Sequence, residues 1–395
     1  MKVVHVTPVY APAWQYGGPV RSTHLLACAL AAKGHEITVL TTTIGTPQAG
    51  ALDVLSRTLD GVHVLYCPGR VTGLGIVSPR LTAMAESLAA GAHAFHLTGV
   101  WQPSIIGVQR LLAKQKTPYV VSTRGALSPY SFQQSRWKKL PYYYLFEQKI
   151  LRGAAALHAT APIECAELNR LRLGVPIFTA PNICDALPWF DDAAGRKAWR
   201  QSHAIAPDEC VIMHVGRIHP KKNLHFLVES AAALSSQRAW RVVLVGPVAE
   251  RDEPYLSQLQ ATLPLQRLTV IRGTGDGDAL RAAYSSADVF VLPSFAENFG
   301  NAVVEALLCN TPVVLSPHVG VGSLVEPLGG TTILPLSQHL WVAELEQRLK
   351  LSPKQRVDAR ARLQIAELFS AESIAAQFEQ LYASCTTAHH TAAIG

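Results

Sequence analysis

Short apolar runs rich in Val, Ile and Leu alternate along the chain with longer segments in which apolar residues recur at helical spacing. In the first half the apolar runs predict strands over residues 2–10, 36–43, 61–68, 94–98, 118–123 and 156–160. Helical spacing between them predicts helices over 19–33, 104–114, 136–151 and 163–173. Strands that are apolar on both faces, with helices between them, are typical of parallel sheets covered on both sides.

The same alternation restarts after residue 209. Strands are predicted over residues 210–215, 241–245, 268–271, 288–293 and 312–316, and helices over 224–234, 254–263, 279–286 and 302–308. Two such series predict an α/β chain of two doubly wound, Rossmann-like domains, and 395 residues suffice for both. We expect a first domain over 1–182, a second over 183–370, a helix over 371–385 and a disordered tail over 386–395.

Composition narrows the class of protein without choosing a function. Hydrophobic residues make up 49% of the chain and charged residues 16%, so large buried cores are expected. The formal net charge of +7 favours phosphate-bearing partners, which include nucleotides, nucleic acid and anionic membranes. Seven cysteines without a Cys-x-x-Cys pair argue against a disulfide framework or a zinc site. No apolar run approaches the ~20 residues of a membrane span, so a cytoplasmic location is expected.

The strongest chemical motif follows the predicted strand over 288–293. Glu297 is expected in the loop and Glu305 inside the next helix, which begins near Gly300. Backbone N–H groups at a helix start can bind an anion, and glycine lets a ligand approach the main chain closely. A carboxylate at Glu305 can accept hydrogen bonds from a vicinal diol such as that of ribose.

Two further loops carry weaker signals. Arg217 and Lys222 follow the strand over 210–215 and can converge on a diphosphate, although a basic surface loop is equally compatible with this chain. Gly17 and Gly18 follow the first strand and precede a helix, but they do not form the G-x-G-x-x-G fingerprint of NAD-binding proteins.

Taken in this order, the three loops resemble those of the retaining glycosyltransferases of family 4, and the segment 122–125 adds to the similarity. The resemblance implies the GT-B fold, in which two Rossmann-like domains face each other across a cleft and the C-terminal helix crosses back to the first domain. It also implies a cytoplasmic enzyme at the inner face of the membrane that moves a hexose from a UDP- or GDP-linked sugar to a lipid-linked or polysaccharide acceptor of the cell envelope. No cofactor is implied, and no metal: no Asp-x-Asp follows a suitable strand, so turnover is expected to be metal-independent.

The resemblance also implies roles for individual residues. Arg217 and Lys222 match the pair that neutralises the donor diphosphate, and Glu297 matches the glutamate facing the transferred sugar. The positions that match donor-binding residues are Gly17 and Gly18 for the diphosphate, Arg272 and Gly273 for the nucleobase, Phe299, Gly300 and Asn301 for sugar hydroxyls and phosphate, and Glu305 for ribose.

One position departs from the family pattern. The family usually carries His-x-His at the end of a strand of the first domain, and this chain has His96-Leu97-Thr98. Thr98 therefore occupies the position of the histidine near the donor sugar, and we expect His96 to be a buried strand residue.

Alternatives stay open at this level. A sugar-nucleotide epimerase or phosphorylase can use the same architecture, and a non-catalytic scaffold is compatible with Thr98. Nucleic-acid binding is supported by charge alone. The basic and aromatic run over 136–144 is compatible with peripheral contact to an anionic membrane or with an ordinary helix.

Overall fold

The computed structural model describes residues 1–47, 50–185, 188–273, 277–350 and 357–394. The chain divides into two compact units. The first contains Met1–Ile183 together with the segment that begins at Ala371, and the second contains Cys184–Ser370.

A single sheet of eight strands forms the centre of the first unit, in the order β10-β9-β8-β7-β1-β2-β4-β3. Its pairs are parallel except for β3 with β4, and β5 pairs with β6 in a separate hairpin. The strands are β1 (Lys2–Val6), β2 (Glu36–Thr42), β3 (Leu55–Leu59), β4 (Val62–Cys67), β5 (Arg70–Thr72), β6 (Gly75–Val77), β7 (Ala94–Thr98), β8 (Tyr119–Ser122), β9 (Ala156–Ala159) and β10 (Ile177–Thr179).

Helices cover both faces of this sheet. They are α1 (Gly18–Ala32), α2 (Pro79–Ala89), α3 (Pro103–Gln115), α4 (Pro129–Gln133), α5 (Arg136–Tyr142), α6 (Gln148–Arg152) and α7 (Pro162–Arg170). One apolar core contains residues of α2 and α3 and the other contains residues of α1. Because the strands are buried on both sides, their sequences lack the alternation of a half-exposed sheet.

The second unit contains a parallel sheet in the order β13-β12-β11-β14-β15-β16. Its strands are β11 (Cys210–Val215), β12 (Trp240–Gly246), β13 (Leu268–Arg272), β14 (Val289–Leu292), β15 (Val313–Leu315) and β16 (Thr331–Ile333). Numbered within the unit, this is the order 3-2-1-4-5-6 of a dinucleotide-binding sheet. The prediction of two Rossmann-like, doubly wound units is therefore confirmed.

The remaining helices are α8 (Ala193–Ser202), α9 (Leu224–Ala232), α10 (Glu253–Thr262), α11 (Gly277–Ser286), α12 (Asn301–Leu308), α13 (Gly322–Val325), α14 (Gln338–Lys350), α15 (Ala359–Leu368) and α16 (Ala371–Ile394). The last of these belongs to the first unit and packs against α1. Among the described residues, no helix combines the length and apolarity that crossing a bilayer requires.

The strands that the apolar pattern did not predict are short or lie at edges. The strands β3, β5, β6, β10 and β16 have three to five residues each, and β3 and β5 are largely exposed. The predicted helix over 136–151 is divided by a π-helical turn, Tyr143–Glu147. The helix α16 continues to Ile394, where the sequence predicted a tail from residue 386, and the alanines of this stretch have high helix propensity.

A chain of buried histidines attaches α16 to the first sheet. His158 donates from Nε2 to the Ala180 carbonyl oxygen (2.8 Å), so its Nδ1 accepts from the Ser122 hydroxyl (2.6 Å). Ser122 in turn accepts from Nε2 of His96 (2.6 Å), which leaves Nδ1 of His96 to accept from the Tyr382 hydroxyl (2.7 Å). The expectation that His96 is a buried strand residue agrees with its exposure of 1%.

Tyr382 continues the chain by accepting from Nε2 of His5 at 3.3 Å. Burial, with Arg124 nearby, lowers the pKa of His5 and of His158 to about 3. Burial also holds the pKa of His96 well below its usual value, and the neighbouring His5, His158 and Arg124 add to the effect. All three rings are therefore neutral at pH 7, and each has a single tautomer compatible with the network.

These pKa values predict that the first unit loses stability in acid. A neutral buried histidine stabilises the fold fully above the unfolded pKa of ~6.5, and this contribution is lost as pH falls toward the folded pKa. Each ring should cost about 1.4 kcal/mol of unfolding free energy per pH unit in that interval. Urea unfolding between pH 7 and 4.5 should show a shallower pH dependence in His96→Asn than in wild type, whereas His63→Asn, at an exposed position in β4, serves as control. Parallel curves for wild type and His96→Asn would contradict the assignment.

Candidate nucleotide site

The order in which the chain adds strands to the second sheet reverses between β11 and β14. These two strands are adjacent and parallel, with Ile212 opposite Val289 and Met213 opposite Phe290. Chain connections leave them in opposite directions along the sheet, so the loops that follow them diverge and open a crevice at the carboxyl edge. Ligands of doubly wound sheets bind at such a point.

Two glycines shape the loop after β11. The left-handed Gly246 (φ +153°), at the end of β12, lies against the carbonyl oxygen of Gly216, and a Cβ at Gly246 would be 1.9 Å from that oxygen. His219 then begins a 3-10 turn, Pro220–Lys222, by accepting the Lys221 N–H on Nδ1 at 3.0 Å. Arg217 is exposed in this loop and Lys222 is half-buried at the end of the turn.

The loop after β14 is held by the segment 318–321. Glu297 donates its N–H to the His318 carbonyl and accepts the Gly320 N–H on its own carbonyl, both at 2.9 Å. Phe299 is buried against Phe369, so its contribution to a ligand is its backbone. Gly300 is left-handed (φ +100°) and precedes α12, whose first residue is Asn301.

An ion pair joins the two loops. Lys222 donates from Nζ to Oε2 of Glu297, and the two side chains are 16% and 21% exposed. Burial by itself would raise the pKa of Glu297, but Lys222, with Lys221 and Arg217, lowers that pKa below its usual value. Glu297 is therefore a carboxylate at neutral pH, and the crevice contains the Lys222 ammonium beside this anion.

Glu305 lies one turn into α12 and is 8% exposed. Its Oε2 accepts a hydrogen bond from the Tyr284 hydroxyl at 2.8 Å. Burial and the Glu305 carboxylate raise the pKa of Tyr284 well above its usual value, so the hydroxyl remains a donor. Tyr284 thus orients the carboxylate, a role that the sequence did not indicate because an aromatic residue in an apolar helix is usually core.

Arg272 and Gly273 lie at the end of β13, on the same carboxyl edge as the two loops. The Arg272 guanidinium makes two hydrogen bonds to Glu253, at 2.5 and 2.9 Å. The side chain is thus held by the protein, and the backbone at Gly273 remains as the group that can meet a ligand.

His214 is a site residue that sequence reasoning missed. It lies in β11 and is fully buried, and it donates from Nδ1 to the Val291 carbonyl oxygen of β14 at 3.2 Å. Within the described part of the chain, its Nε2 has no hydrogen-bond partner. Burial, with Lys222 nearby, lowers the pKa of His214 to about 3, so the ring is neutral. Its signal in the sequence is a polar residue in an otherwise apolar strand, two residues before Gly216.

The other candidates lie in the first unit. Gly17 is left-handed (φ +82°) and exposed, and it precedes α1, whose first residue is Gly18. Thr98 ends β7 opposite Ser122 and is 5% exposed. Their predicted roles toward a donor stay predictions.

A basic cavity of about 610 Å³ lies elsewhere in the second unit. Its lining includes Arg196, Lys197, Arg200 and Arg238. Asp288, directly before β14, also lines it, so the cavity is at the amino edge of the sheet, opposite to the loops described above. Arg200 there is engaged by Asp288 and by the carbonyl oxygens of Ser286 and Glu209.

Comparison with known proteins identifies both units. Residues 17–182 match the glycosyl transferase 4-like domain, and residues 195–364 match the family of glycosyl transferases group 1. The chain therefore contains a glycosyl transferase 4-like domain followed by a group 1 glycosyl transferase domain.

Individual relatives agree with these domains. The D-inositol 3-phosphate glycosyltransferase of Pseudarthrobacter chlorophenolicus is 33% identical over 220 residues, which are 54% of this chain and 51% of that protein. The chain thus matches about half the length of this curated relative.

Solved structures share the fold over nearly the whole chain. Sucrose-phosphate synthase from Thermosynechococcus elongatus has a TM-score of 0.77 at 21% identity and covers 98% of this chain and 99% of its own. The Anabaena protein HepE, in complex with UDP and glucose, has a TM-score of 0.71 at 18% identity and covers 97% of this chain and 100% of its own. At these identities the similarity establishes the GT-B type of fold.

Proposed function

We propose that this chain, with its two glycosyl transferase domains, is a retaining family 4 glycosyltransferase that moves a hexose from a nucleoside diphosphate sugar. One observation supports this most strongly. Lys222, Glu297 and the start of α12 lie at the carboxyl edge of the second sheet, between β11 and β14, where the strand order reverses. Cation, carboxylate and backbone donors are the groups that a sugar diphosphate requires within one crevice.

The diphosphate is bound by positive groups from both loops. Arg217 supplies a planar guanidinium and Lys222 a compact ammonium, and the N–H groups at the start of α12 point toward an anion. Within the described residues Arg217 makes no ion pair, so it can turn to phosphate without breaking one. We take UDP as the nucleotide because HepE was crystallised with it.

Donor binding exchanges the partners of the ion pair. Lys222 leaves Glu297 for the more highly charged diphosphate, and Glu297 then accepts hydroxyl hydrogen bonds from the sugar. During transfer the negative charge on the leaving diphosphate grows, and Arg217 and Lys222 stabilise it where it develops. These two cations serve the charge role that a divalent metal serves in other transferases, so the proposed reaction is metal-independent.

The nucleoside end is bound along the same edge. Glu305, oriented by Tyr284, accepts from the ribose hydroxyls, and the backbone at Arg272 and Gly273 meets the base. Gly17, Gly18 and Thr98 are proposed donor contacts on the strength of the family resemblance. The acceptor is proposed to be a lipid-linked or polysaccharide intermediate of the cell envelope.

The proposal is tested by UDP-sugar turnover in the presence of EDTA, below the unfolding temperature of the metal-free protein. We expect release of UDP to continue at an unchanged rate, and to increase when a glycan acceptor is added. Activity that EDTA abolishes and Mn²⁺ or Mg²⁺ restores would contradict metal independence. Conversion of the donor without UDP release would indicate an epimerase instead.

The two glutamates should separate binding from turnover. Glu305→Gln keeps an acceptor for Tyr284 but loses the charge, and we expect its Kd for UDP to rise roughly tenfold, the effect of about 1.4 kcal/mol. Glu297→Gln should leave the Kd for UDP within about threefold of wild type and lower kcat at least tenfold, because its partner is the reacting sugar. Glu229→Ala, at an exposed position of α9, serves as control. Equal effects of both variants on Kd and kcat would overturn the two roles.

An exposed aromatic segment supports membrane contact by the first unit. Trp137, Tyr144 and Leu145 are 75%, 64% and 70% exposed, which is unusual for such large apolar groups. Arg136 and Lys138 beside them are also exposed, and Lys138 lies over the Trp137 ring at 4.7 Å. Lys139 is instead bound to Ser131, so it contributes less to an outer surface than its sequence position suggests. Aromatic rings at headgroup depth with cations on anionic lipid fit this arrangement.

Membrane contact predicts salt-sensitive binding to vesicles that contain anionic lipid. Each basic residue near such a surface contributes about 1 kcal/mol, so Arg136→Ala with Lys138→Ala should weaken partitioning roughly 30-fold in co-sedimentation. Arg80→Ala with Lys114→Ala removes the same charge from exposed positions of α2 and α3 and should have little effect. Equal loss in both double variants would mean that net charge, and not this segment, drives binding.

A further inference from the structure

Three metal-binding side chains converge in the first unit, and none of them has been given a role above. His24 and Cys28 lie four residues apart on α1 and therefore share a helix face. Asp60 reaches them from the Asp60-Gly61 turn between β3 and β4. Nε2 of His24 is 3.0 Å from Oδ2 of Asp60 and 3.6 Å from Sγ of Cys28, and the three donor atoms all lie within 4.8 Å of one another.

The histidine ring is held from its other side. The Tyr10 hydroxyl is 2.8 Å from Nδ1 of His24, and Tyr10 itself is fully buried. The Trp14 ring packs edge-on against the imidazole, with ring centroids 5.4 Å apart. A partner on the second ring nitrogen is the usual support of a metal-binding histidine, because it fixes the ring and the tautomer.

We propose that His24, Cys28 and Asp60 bind a divalent zinc-like cation. Zinc bonds of ~2.0–2.3 Å to nitrogen, oxygen and sulfur in tetrahedral geometry place the donor atoms about 3.3–3.8 Å apart. Sγ of Cys28 is 3.6 Å from Nε2 of His24, which lies in this range, and 3.8 Å from Nδ1, so the thiol lies beside the ring and must turn toward Nε2 to share the metal. The Asp60 carboxylate oxygen is 3.0 Å from Nε2 of His24 and within 4.8 Å of Sγ of Cys28, so it must shift to enter this range, and its side chain is 65% exposed.

The mixture of donors selects the class of metal. Magnesium and calcium prefer oxygen ligands, whereas one imidazole nitrogen, one thiolate and one carboxylate suit zinc. With three protein ligands, a water molecule completes the tetrahedron.

Metal binding releases one proton, which comes from the Cys28 thiol. Without metal, His24 donates from Nε2 to Asp60 and accepts from the Tyr10 hydroxyl on Nδ1. With metal on Nε2, the ring proton resides on Nδ1 and is donated to the Tyr10 oxygen. The Cys28 thiol loses its proton to solvent as the metal–sulfur bond forms.

The proposed ion would tie α1 to the β3–β4 hairpin at the edge of the first sheet. The strand β3 is the outermost strand there and is mostly exposed, so few apolar contacts hold it. A metal bridge would therefore stabilise the least buried end of this sheet. The sequence pointed away from zinc because the ligands come from a helix and a distant turn, without Cys-x-x-Cys spacing.

Cobalt titration tests the site directly on the full chain freed of metal by chelation. Cobalt substitutes for zinc, and a thiolate ligand gives it a charge-transfer absorption band in the near ultraviolet. We expect this band to saturate at one cobalt per chain, to be displaced by zinc and to be absent in Cys28→Ser. Cys165→Ser is the matched control, since Cys165 is also a half-buried cysteine on a helix of the first unit.

Two further variants keep the test decisive. Tyr10→Phe removes only the partner of the histidine and should weaken zinc binding roughly 10- to 100-fold without abolishing it. Asp60→Asn, at an exposed turn, should fold normally and lose most of the zinc-dependent rise in Tm. Absence of a thiolate band in wild type, or its retention in Cys28→Ser, would overturn the proposal and leave His24 and Asp60 as a hydrogen-bonded pair.

Discussion

The ion pair between Lys222 and Glu297 is the interaction on which the candidate site depends. It connects the loop after β11 to the loop after β14. Between these two strands the strand order of the second sheet reverses. The backbones of the two loops are also joined directly, because the Phe295 N–H donates to the Lys221 carbonyl oxygen at 3.0 Å. Gly246 lies under the first loop, and the segment 318–321 supports the second. The ion pair therefore forms between two loops whose backbones are already held by other contacts. Its charges can be redistributed to a ligand without rebuilding either loop, which is the sense in which the site is preorganised.

A second constraint acts in the first unit, where α16 returns from the end of the chain to the sheet. The hydrogen-bond chain from His158 through Ser122 and His96 to Tyr382 works only with neutral rings in defined tautomers. Such a network specifies one docking geometry for the helix, whereas apolar contacts alone tolerate sliding. The cost is sensitivity to acid, because each ring gains a proton on unfolding.

Much of this architecture follows from the sequence because parallel strands buried on both faces leave long apolar runs. The positions of Arg217, Lys222, Glu297 and Gly300 also followed, since loops after such strands share one edge of a sheet. Contacts between residues that lie far apart in the chain could not be predicted from the sequence. Tyr284 beside Glu305, and Asp60 beside His24, are separated by 21 and 36 residues and have no local pattern. Short edge strands such as β16 escaped for a different reason: three residues carry no periodicity.

The central claim is that the crevice between β11 and β14 binds a nucleoside diphosphate, and hydrogen–deuterium exchange with and without UDP tests it most directly. The second unit offers UDP two basic regions on opposite edges of one sheet, the crevice and the cavity lined by Arg196, Lys197 and Arg238. The account predicts slower exchange in 216–223 and 297–305 when UDP is present, with little change in 193–208. Protection confined to 193–208, or to the first unit, would contradict it.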